Sequence, residues 1–318
     1  MEKLKKELGI FILNYNGQKY LKSCLDSLKT QKYNHFDIYL VDNQSIDNSV
    51  LFVKNNYPEV IILQTNGNLG YSGGYNYMLN HLNKNKICYK YLLLLNNDTI
   101  CDESLIQNVC NFFDKHKNVG IICPTILNID NTVFSKGGTF IPFSGTSISK
   151  GMSVFKRENK FIESFWGSGC ALFIRQELFV SLDGFADYFM YFEDIDLSWR
   201  VRNLGYKVVY LANTFVVHVL GGAKAPSSLE IYYSERNRII SYWRNLNNII
   251  LLFLFPMLVI SRLLLLFYYI RSFDELFIKF KGLVDGIRIV PKYDKIKSPV
   301  VQQLSILVSA PRNKEYSI

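Results

Sequence analysis

No Cys-x-x-Cys pair occurs among the six cysteines, Cys24, Cys88, Cys101, Cys110, Cys123 and Cys170. Their scatter excludes a zinc ribbon or a redox dithiol and suits a reducing compartment. An apolar leader core of ordinary length is also missing. The charged run 1–8 passes straight into Gly9-Ile10-Phe11-Ile12-Leu13, so secretion is not expected. The first 235 residues have little net charge, with 23 Lys+Arg against 22 Asp+Glu. Nearly all of the formal +9 of the 318-residue chain therefore falls in residues 236–318, with 13 basic and 5 acidic side chains. These charges flank long apolar runs, which suits an anionic membrane surface better than nucleic acid, and no nucleic-acid partner is expected. A chain of this length holds one large domain or two smaller ones and can bury a core.

Strands and helices alternate along the first part of the chain. Residues 9–13 read as an apolar strand broken by Asn14-Tyr15-Asn16-Gly17, after which Tyr20, Leu21, Cys24, Leu25 and Leu28 recur at helical spacing. Residues 36–41 form a second strand, ending in Asp42-Asn43-Gln44-Ser45-Ile46-Asp47, before a helix with Val50 and Val53. A third strand, 60–63, leads into the glycine-rich stretch 66–76 and a helix through Met78, Leu79 and Leu82. Residues 92–95, a helix near 105–113 and a strand at 119–123 continue the series. The alternation predicts an α/β fold of right-handed βαβ units, with a mostly parallel central sheet and the polar strand ends gathered on one edge. Gly67, Gly70, Gly73 and Gly74 do not keep the order G-x-G-x-x-G and follow the third strand, which argues against a nicotinamide dinucleotide. They either let a backbone approach a ligand at a helix N-terminus or make a tight turn. Residues 131–165 have no helical period and read as hairpins or a loop over the site, and 165–174 as one further strand. Two more apolar strands, 208–211 and 215–217, precede His218 and Gly221-Gly222.

Three places carry chemistry. The run Leu92-Leu93-Leu94-Leu95-Asn96-Asn97-Asp98-Thr99 has no alternation, as expected of a strand buried on both faces. It ends in amides, a carboxylate and a hydroxyl, at the strand end where open α/β sheets bind ligands. One carboxylate beside amide oxygens suits a hard divalent cation, Mg²⁺ or Mn²⁺, shared with substrate phosphates; an Asn-rich turn explains the same residues more plainly. The second place is Phe192-Glu193-Asp194-Ile195-Asp196-Leu197-Ser198-Trp199-Arg200. Asp196 and Arg200 are spaced to pair on a helix surface, whereas Glu193 and Asp194 at the helix start either cap it or supply a general base. The third is His218, which follows a strand as a packed residue or as a metal ligand in the same group of strand ends.

Taken in order, these pieces resemble family 2 glycosyltransferases with the GT-A fold, and among them bacterial rhamnosyltransferases of surface-polysaccharide synthesis. The resemblance covers about residues 8–245. It is carried by Asn14-Tyr15-Asn16, Val41-Asp42-Asn43 with Ser45 and Asp47, Asn68-Leu69-Gly70 with Gly73-Gly74 and Asn76, and Leu95-Asn96-Asn97-Asp98. It continues through Gly169-Cys170-Ala171-Leu172, Gly184-Phe185, the Glu193-Asp194 cluster, His218 and Arg236-Asn237-Arg238. The resemblance implies an inverting enzyme that takes a sugar, rhamnose by preference, from a dTDP- or UDP-linked donor. Asn14, Tyr15, Asp42, Ser45, Asn68, Gly70, Gly74, Asn97 and Asp98 would bind the nucleotide sugar, Asp98 and His218 a divalent cation, and Asp194 would be the catalytic base. Trp166, Glu193, Trp199, Arg236 and Arg238 would meet the acceptor or a diphosphate. Asn96 stands where the family's D-x-D motif has its first Asp. That departure keeps a rival reading open, a non-catalytic nucleotide-sugar-binding or scaffold subunit of a membrane glycan-assembly complex. A sugar-phosphate nucleotidyltransferase would need an N-terminal Gly-rich Arg/Lys signature that the chain lacks.

Residues 1–225 therefore read as the catalytic domain, with a donor half to about 125 and an acceptor half after it, and 226–318 as a helical, apolar and basic region. Residues 249–270 are almost continuously apolar and long enough to span a bilayer, but Arg262 near the middle would cost about 2.5–3.5 kcal/mol there. An in-plane or re-entrant segment, a span and a buried soluble hairpin all fit. Phe273, Leu276, Phe277, Phe280, Leu283, Val284 and Ile287 then fall on one helical face, as in an interfacial helix or a packed core helix. The expected acceptor is a polyprenyl-diphosphate-linked glycan, met at the cytoplasmic face of the membrane.

Overall fold

The computed structural model of the chain describes residues 6–149, 153–219, 227–268, 273–295, 300–309 and 314–318. Gly221, Gly222 and positions 269–270 of the apolar segment lie outside them. Strands β1 (Leu8–Asn14), β2 (Phe36–Asp42), β3 (Ile61–Gln64) and β4 (Tyr91–Asn96) run parallel in the order β3-β2-β1-β4. Helices α1 (Gln18–Lys29), α2 (Ser49–Asn56) and α3 (Gly70–Lys84) connect them. Registry places Asn14 opposite Asp42 and Leu13 opposite Asn96, so the polar ends of three strands share one edge.

The unbroken apolar run of β4 has the cause expected from its pattern. Leu93 and Leu95 pack with Leu21, Leu25, Val109 and Phe113 on one face, and Leu92 and Leu94 with Tyr75, Met78 and Leu82 on the other. Each fully buried leucine contributes about 1.5–3 kcal/mol, so the strand presenting the Asn96-Asn97-Asp98 end is anchored from both sides.

Beyond β4 the sheet becomes mixed. β5 (Thr99–Cys101), α4 (Leu105–Lys115) and β6 (Val119–Leu127) follow, then β7 (Val133–Ser135) and a separate hairpin of β8 (Gly138–Ile141) and β9 (Thr146–Ser149). β10 (Lys160–Ser164) and β11 (Ala171–Arg175) come next, with β11 antiparallel between β4 and β6. The expected single strand over 165–174 is in fact a turn entering β11. Residues 165–169 turn out of the sheet, and Gly167 and Gly169 pass close under neighbours there. A Cβ would lie 2.7 Å from Cys123 Sγ at the first and 2.7 Å from the Tyr71 hydroxyl at the second. After α5 (Gln176–Ser181) and α6 (Glu193–Asn203), the two short strands expected near 210 are one, β12 (Lys207–His218), with a register shift between Leu211 and Phe215. β12 pairs parallel with β6 and antiparallel with β5 and β10.

The C-terminal region holds α7 (Ser228–Asn245), α8 (Asn248–Tyr268), α9 (Phe273–Ile289), α10 (Val300–Ser309) and β13 (Lys314–Ser317), which pairs with β10. Its buried side is a third apolar cluster that joins Tyr242, Leu246, Ile250, Leu258, Leu283 and Ile306 to Phe140, Phe165 and Trp199. No helix among the described residues is long and apolar enough to cross a membrane, contrary to the spanning alternative. Arg262 donates to Glu235, a buried residue of α7, through Nε at 3.0 Å, which gives the charge a protein partner. The single face expected on α9 divides. Leu283 is buried with Gly282 and Gly286 against α7, while Phe273, Phe277, Phe280 and Ile287 stay exposed, as do Leu252, Phe253, Met257 and Ile260 on α8.

Candidate active site

The loops after β1 and β2 are knitted together at the sheet edge. Asn14 is fully buried and donates to Asp42 Oδ1 at 2.8 Å and Ser45 Oγ at 3.0 Å, while its own Oδ1 accepts from Asn97 Nδ2 at 2.7 Å. Asp42, also fully buried, accepts from the Ser45 amide (2.9 Å) and hydroxyl (2.6 Å). Its carboxylate is thus used to shape the loop, and Tyr15, half-exposed on the facing loop, is the side chain that presents a free ring. Gly17 is required where these loops meet β4, since a Cβ there would lie 1.9 Å from Asn97 Nδ2. Behind them, Asn68 Oδ1 accepts from Gly70 N at 3.0 Å, and Asn43 Nδ2 donates to Gly70 O at 2.8 Å. Gly70 has φ +70° and Gly74 packs against Leu13, where a Cβ would approach to 2.4 Å.

At the end of β4, Asp98 and His218 meet. His218 lies opposite Thr99 in the β5–β12 ladder, and its Nε2 is 3.1 Å from Asp98 Oδ2. Both side chains are largely enclosed, and His218 Nδ1 is buried with no partner among the described residues. Two cis ligands of an octahedral Mg²⁺ or Mn²⁺, each about 2.1 Å from the ion, would lie about 3 Å apart, so this oxygen–nitrogen pair fits one hard cation. Among the described residues, no group of three or more His, Cys, Asp and Glu is placed to hold a metal.

The acidic cluster opens α6 beside the same strand end. Asp194 Oδ2 accepts from Gly169 N at 3.0 Å and Oδ1 from Ile195 N at 2.8 Å. Gly169 immediately precedes Cys170, whose carbonyl accepts from Asn96 N at 3.0 Å, so the turn into β11 ties Asp194 to the end of β4. Burial raises the Asp194 carboxyl above the ordinary aspartate value, with the Gly169 and Ile195 amides pulling the other way. Burial, followed by the adjacent Asp194 charge, pushes Glu193 up well above the usual range, and its Oε2 is buried without a partner among the described residues.

The approach to this pair is contorted. Phe189, Tyr191 and Phe192 have φ of 67°, 64° and 72°, left-handed values that cost a bulky residue about 1–3 kcal/mol each and persist only where the surroundings impose them. Three expectations for the neighbourhood change. Trp199 is fully buried among Phe140, Phe165 and Tyr242, so it backs the site and does not meet an acceptor. Asp196 does pair with Arg200, at 2.8 Å, but in the interior: both are buried, with Arg244, Tyr188, Ser241 and Asn245 also around the carboxylate. Burial would raise its pKa; Arg200 and Arg244 outweigh that and hold it below the usual carboxylate range. Arg238 is buried, donating to Gly145 O at 2.7 Å with its guanidinium 5.1 Å from the Phe192 ring centroid. Trp166 and Arg236 remain partly exposed.

The family model described as glycosyl transferase family 2 matches residues 9–182. The chain belongs to this family. As a family 2 glycosyltransferase it is 23% identical over 231 residues to a protein named N-acetylglucosaminyl-diphospho-decaprenol L-rhamnosyltransferase from Mycobacterium tuberculosis, covering 66% of this chain and 75% of that one. It is 31% identical over 117 residues to the minor teichoic acid biosynthesis protein GgaB of Bacillus subtilis, covering 35% of this chain and 12% of that one. Its fold is similar to the crystal structure of S. aureus TarS 1–349, with a TM-score of 0.58, 14% identity, and coverage of 90% of this chain and 81% of that one. It is similar also to GalNAc-T7 with UDP, GalNAc and Mn²⁺, with a TM-score of 0.57, 14% identity, and coverage of 74% and 48%. These likenesses bear on the fold, which is that of the GT-A enzymes. In this glycosyltransferase, Gly169 and Asn237, which the sequence offers only as parts of longer motifs, and Tyr71 are site-building groups to which the sequence reading gives no role. Tyr71 donates to Gly169 O at 2.6 Å and so fixes the turn that holds Asp194.

Proposed function

We propose that the chain transfers a sugar, rhamnose by preference, from a dTDP- or UDP-linked donor to a hydroxyl of a polyprenyl-diphosphate-linked glycan, with inversion. The observation that carries this reading is the attachment of Asp194, through Gly169, to the strand end where Asp98 and His218 converge. Asp194, its pKa raised by burial, takes the proton of the acceptor hydroxyl. The oxygen bonds to the anomeric carbon as the bond from that carbon to the diphosphate breaks, and the nucleoside diphosphate departs from the opposite face. A divalent cation held by Asp98 and His218 would neutralise the charge that builds on the leaving diphosphate. Tyr15 offers a ring for the base, and Ser45, Asn68, Gly70, Gly74 and Asn97 form the backbone and amide wall of the donor cleft.

The choice of acceptor draws on the name of the mycobacterial relative and on the exposed apolar faces of α8 and α9. With the positive charge of residues 236–318, those faces suit the cytoplasmic surface of a membrane, where residues 1–225 would act as the catalytic unit. The test is a panel of nucleotides and nucleotide sugars scored by thermal shift with and without Mn²⁺, followed by transfer assays with the donors that bind. A dTDP- or UDP-sugar that stabilises the protein and yields an inverted product supports the reading. Binding without transfer to any lipid-linked or soluble glycan overturns it.

A further inference from the structure

Asn237 is fully buried on α7, and one atom of it serves a whole loop. Its Nδ2 lies within hydrogen-bonding distance of three carbonyls, Tyr188 at 3.3 Å, Met190 at 2.9 Å and Tyr191 at 2.7 Å. Arg236 Nε donates to Asn237 Oδ1 at 2.9 Å, which turns the amide oxygen away from the loop and the nitrogen toward it. Arg236 Nη2 adds a bond to Tyr188 O at 2.9 Å. On the opposite side Ser72 N donates to Phe189 O at 3.2 Å, and that carbonyl occupies the space a side chain at Gly70 would need. The loop is therefore clamped between α7 and the N-terminus of α3, and it contains the left-handed Phe189, Tyr191 and Phe192. The next two residues are Glu193 and Asp194.

We propose that Asn237 is a positioning residue for the transfer reaction: its side-chain amide holds the 188–192 loop in the turn that aims Asp194 at the strand end carrying Asp98. The inference rests on the reading of Asp194 as the base. The two N–H groups of this amide serve the Met190 and Tyr191 carbonyls, with Arg236 Nη2 on Tyr188 O, and without the amide the left-handed Tyr191 and Phe192 lose the bonds that hold them from the α7 side. Loss of the amide lets residues 189–192 relax toward ordinary backbone angles. Asp194 then shifts relative to the acceptor hydroxyl, and a misplacement of about 1 Å costs on the order of 10²-fold in rate.

The experiment compares the wild-type chain with Asn237→Ala, Asn237→Ser and, as a control on the same helix, Ser234→Ala at a partly exposed position. The expected result for Asn237→Ala is a fall in kcat of about 10²-fold with donor KM nearly unchanged. The amides of the 188–192 loop and of Ser72 should lose hydrogen-exchange protection. The acid limb of kcat should move to lower pH as water reaches Asp194, whose titratable surroundings are Glu193 on its own helix, Tyr71 on α3, Cys123 on β6 and Tyr210 on β12. Asn237→Ser, which keeps one donor, should fall between the two. If Asn237→Ala does not fold, the serine variant carries the test. Activity and exchange like those of Ser234→Ala in either folded variant would overturn the proposal. If the wild-type chain transfers no sugar, the catalytic reading fails by itself, and the exchange data still decide whether Asn237 holds the loop.

Discussion

Asp98 Oδ2 lies 3.1 Å from His218 Nε2 because a strand ladder, with Thr99 opposite His218, sets the spacing between segments distant in sequence. Such a pair is rigid before any ligand arrives. Asp98→Ala and His218→Ala should each weaken Mn²⁺-supported binding of the nucleoside diphosphate by more than about tenfold, the scale lost even with an outer-shell metal partner. Binding of the free nucleoside should change little. Titration calorimetry with both ligands, with and without Mn²⁺, checks this; equal diphosphate affinity in the two conditions for the wild-type chain removes the cation from the mechanism.

Asp194→Asn should leave donor affinity nearly intact and lower transfer by at least about 10²-fold, the usual range for a lost general base. Glu193→Gln should retain more activity, because Glu193 is buried and Asp194 is the partly exposed member of the pair. The reverse ranking would name Glu193 as the base.

The same pair gives opposite signs for activity and stability. Asp194 accepts a proton only when ionised, and its pKa lies above the ordinary 3.8, so transfer should fall as pH drops through a midpoint higher than that of a free aspartate. Glu193 is pushed well above 4.5 by burial, so the folded state binds its proton more tightly than the unfolded chain does. Its ionisation therefore costs stability once the pH exceeds the unfolded value, increasingly up to the raised folded value. Glu193→Gln should raise the thermal midpoint at neutral pH, and the gain should vanish below about pH 4, where the unfolded glutamate is also protonated. A pH series of melting curves for the two proteins checks the sign.

The membrane reading is better tested by surface substitutions than by removing the C-terminal region. Cutting after Asn247 would uncover Ile239, Tyr242 and Leu246, which pack with α8, α9 and α10. Phe253→Ser, Phe277→Ser and Phe280→Ser change only exposed rings. Combined, they should abolish flotation with anionic liposomes and reduce transfer to a lipid-linked acceptor while sparing a short soluble one. Undiminished flotation would assign these faces to another role.

Much of the nucleotide-binding side was legible because its signals are local. Apolar runs ending in polar residues mark β1, β2 and β4, and their shared edge follows from parallel pairing. What escaped was non-local. Nothing between 165 and 175 shows that Gly167 and Gly169 must pass under Cys123 and Tyr71, which is why one strand was expected where a turn and β11 stand. Helical spacing joined Asp196 to Arg200 correctly, but only the fold buries them, by bringing Arg244 and Asn245 from α7. In Arg236-Asn237-Arg238 the two charges are the residues that suggest a diphosphate contact, while the neutral residue between them, with Arg236, bonds the 188–192 loop.

The placement of β11 between β4 and β6 has a consequence for how the chain acquires its structure. The strand end with Asn97 and Asp98 has an unpaired neighbour until residues 171–175 arrive from beyond two hairpin segments. Pairing of this kind is paid for in loop-closure entropy and is slow, so the sheet should close there late in refolding. A fragment ending before Ala171 would present β4 and β6 as open apolar edges, templates for pairing with other copies. An excised donor half should therefore precipitate rather than serve as a nucleotide-binding module.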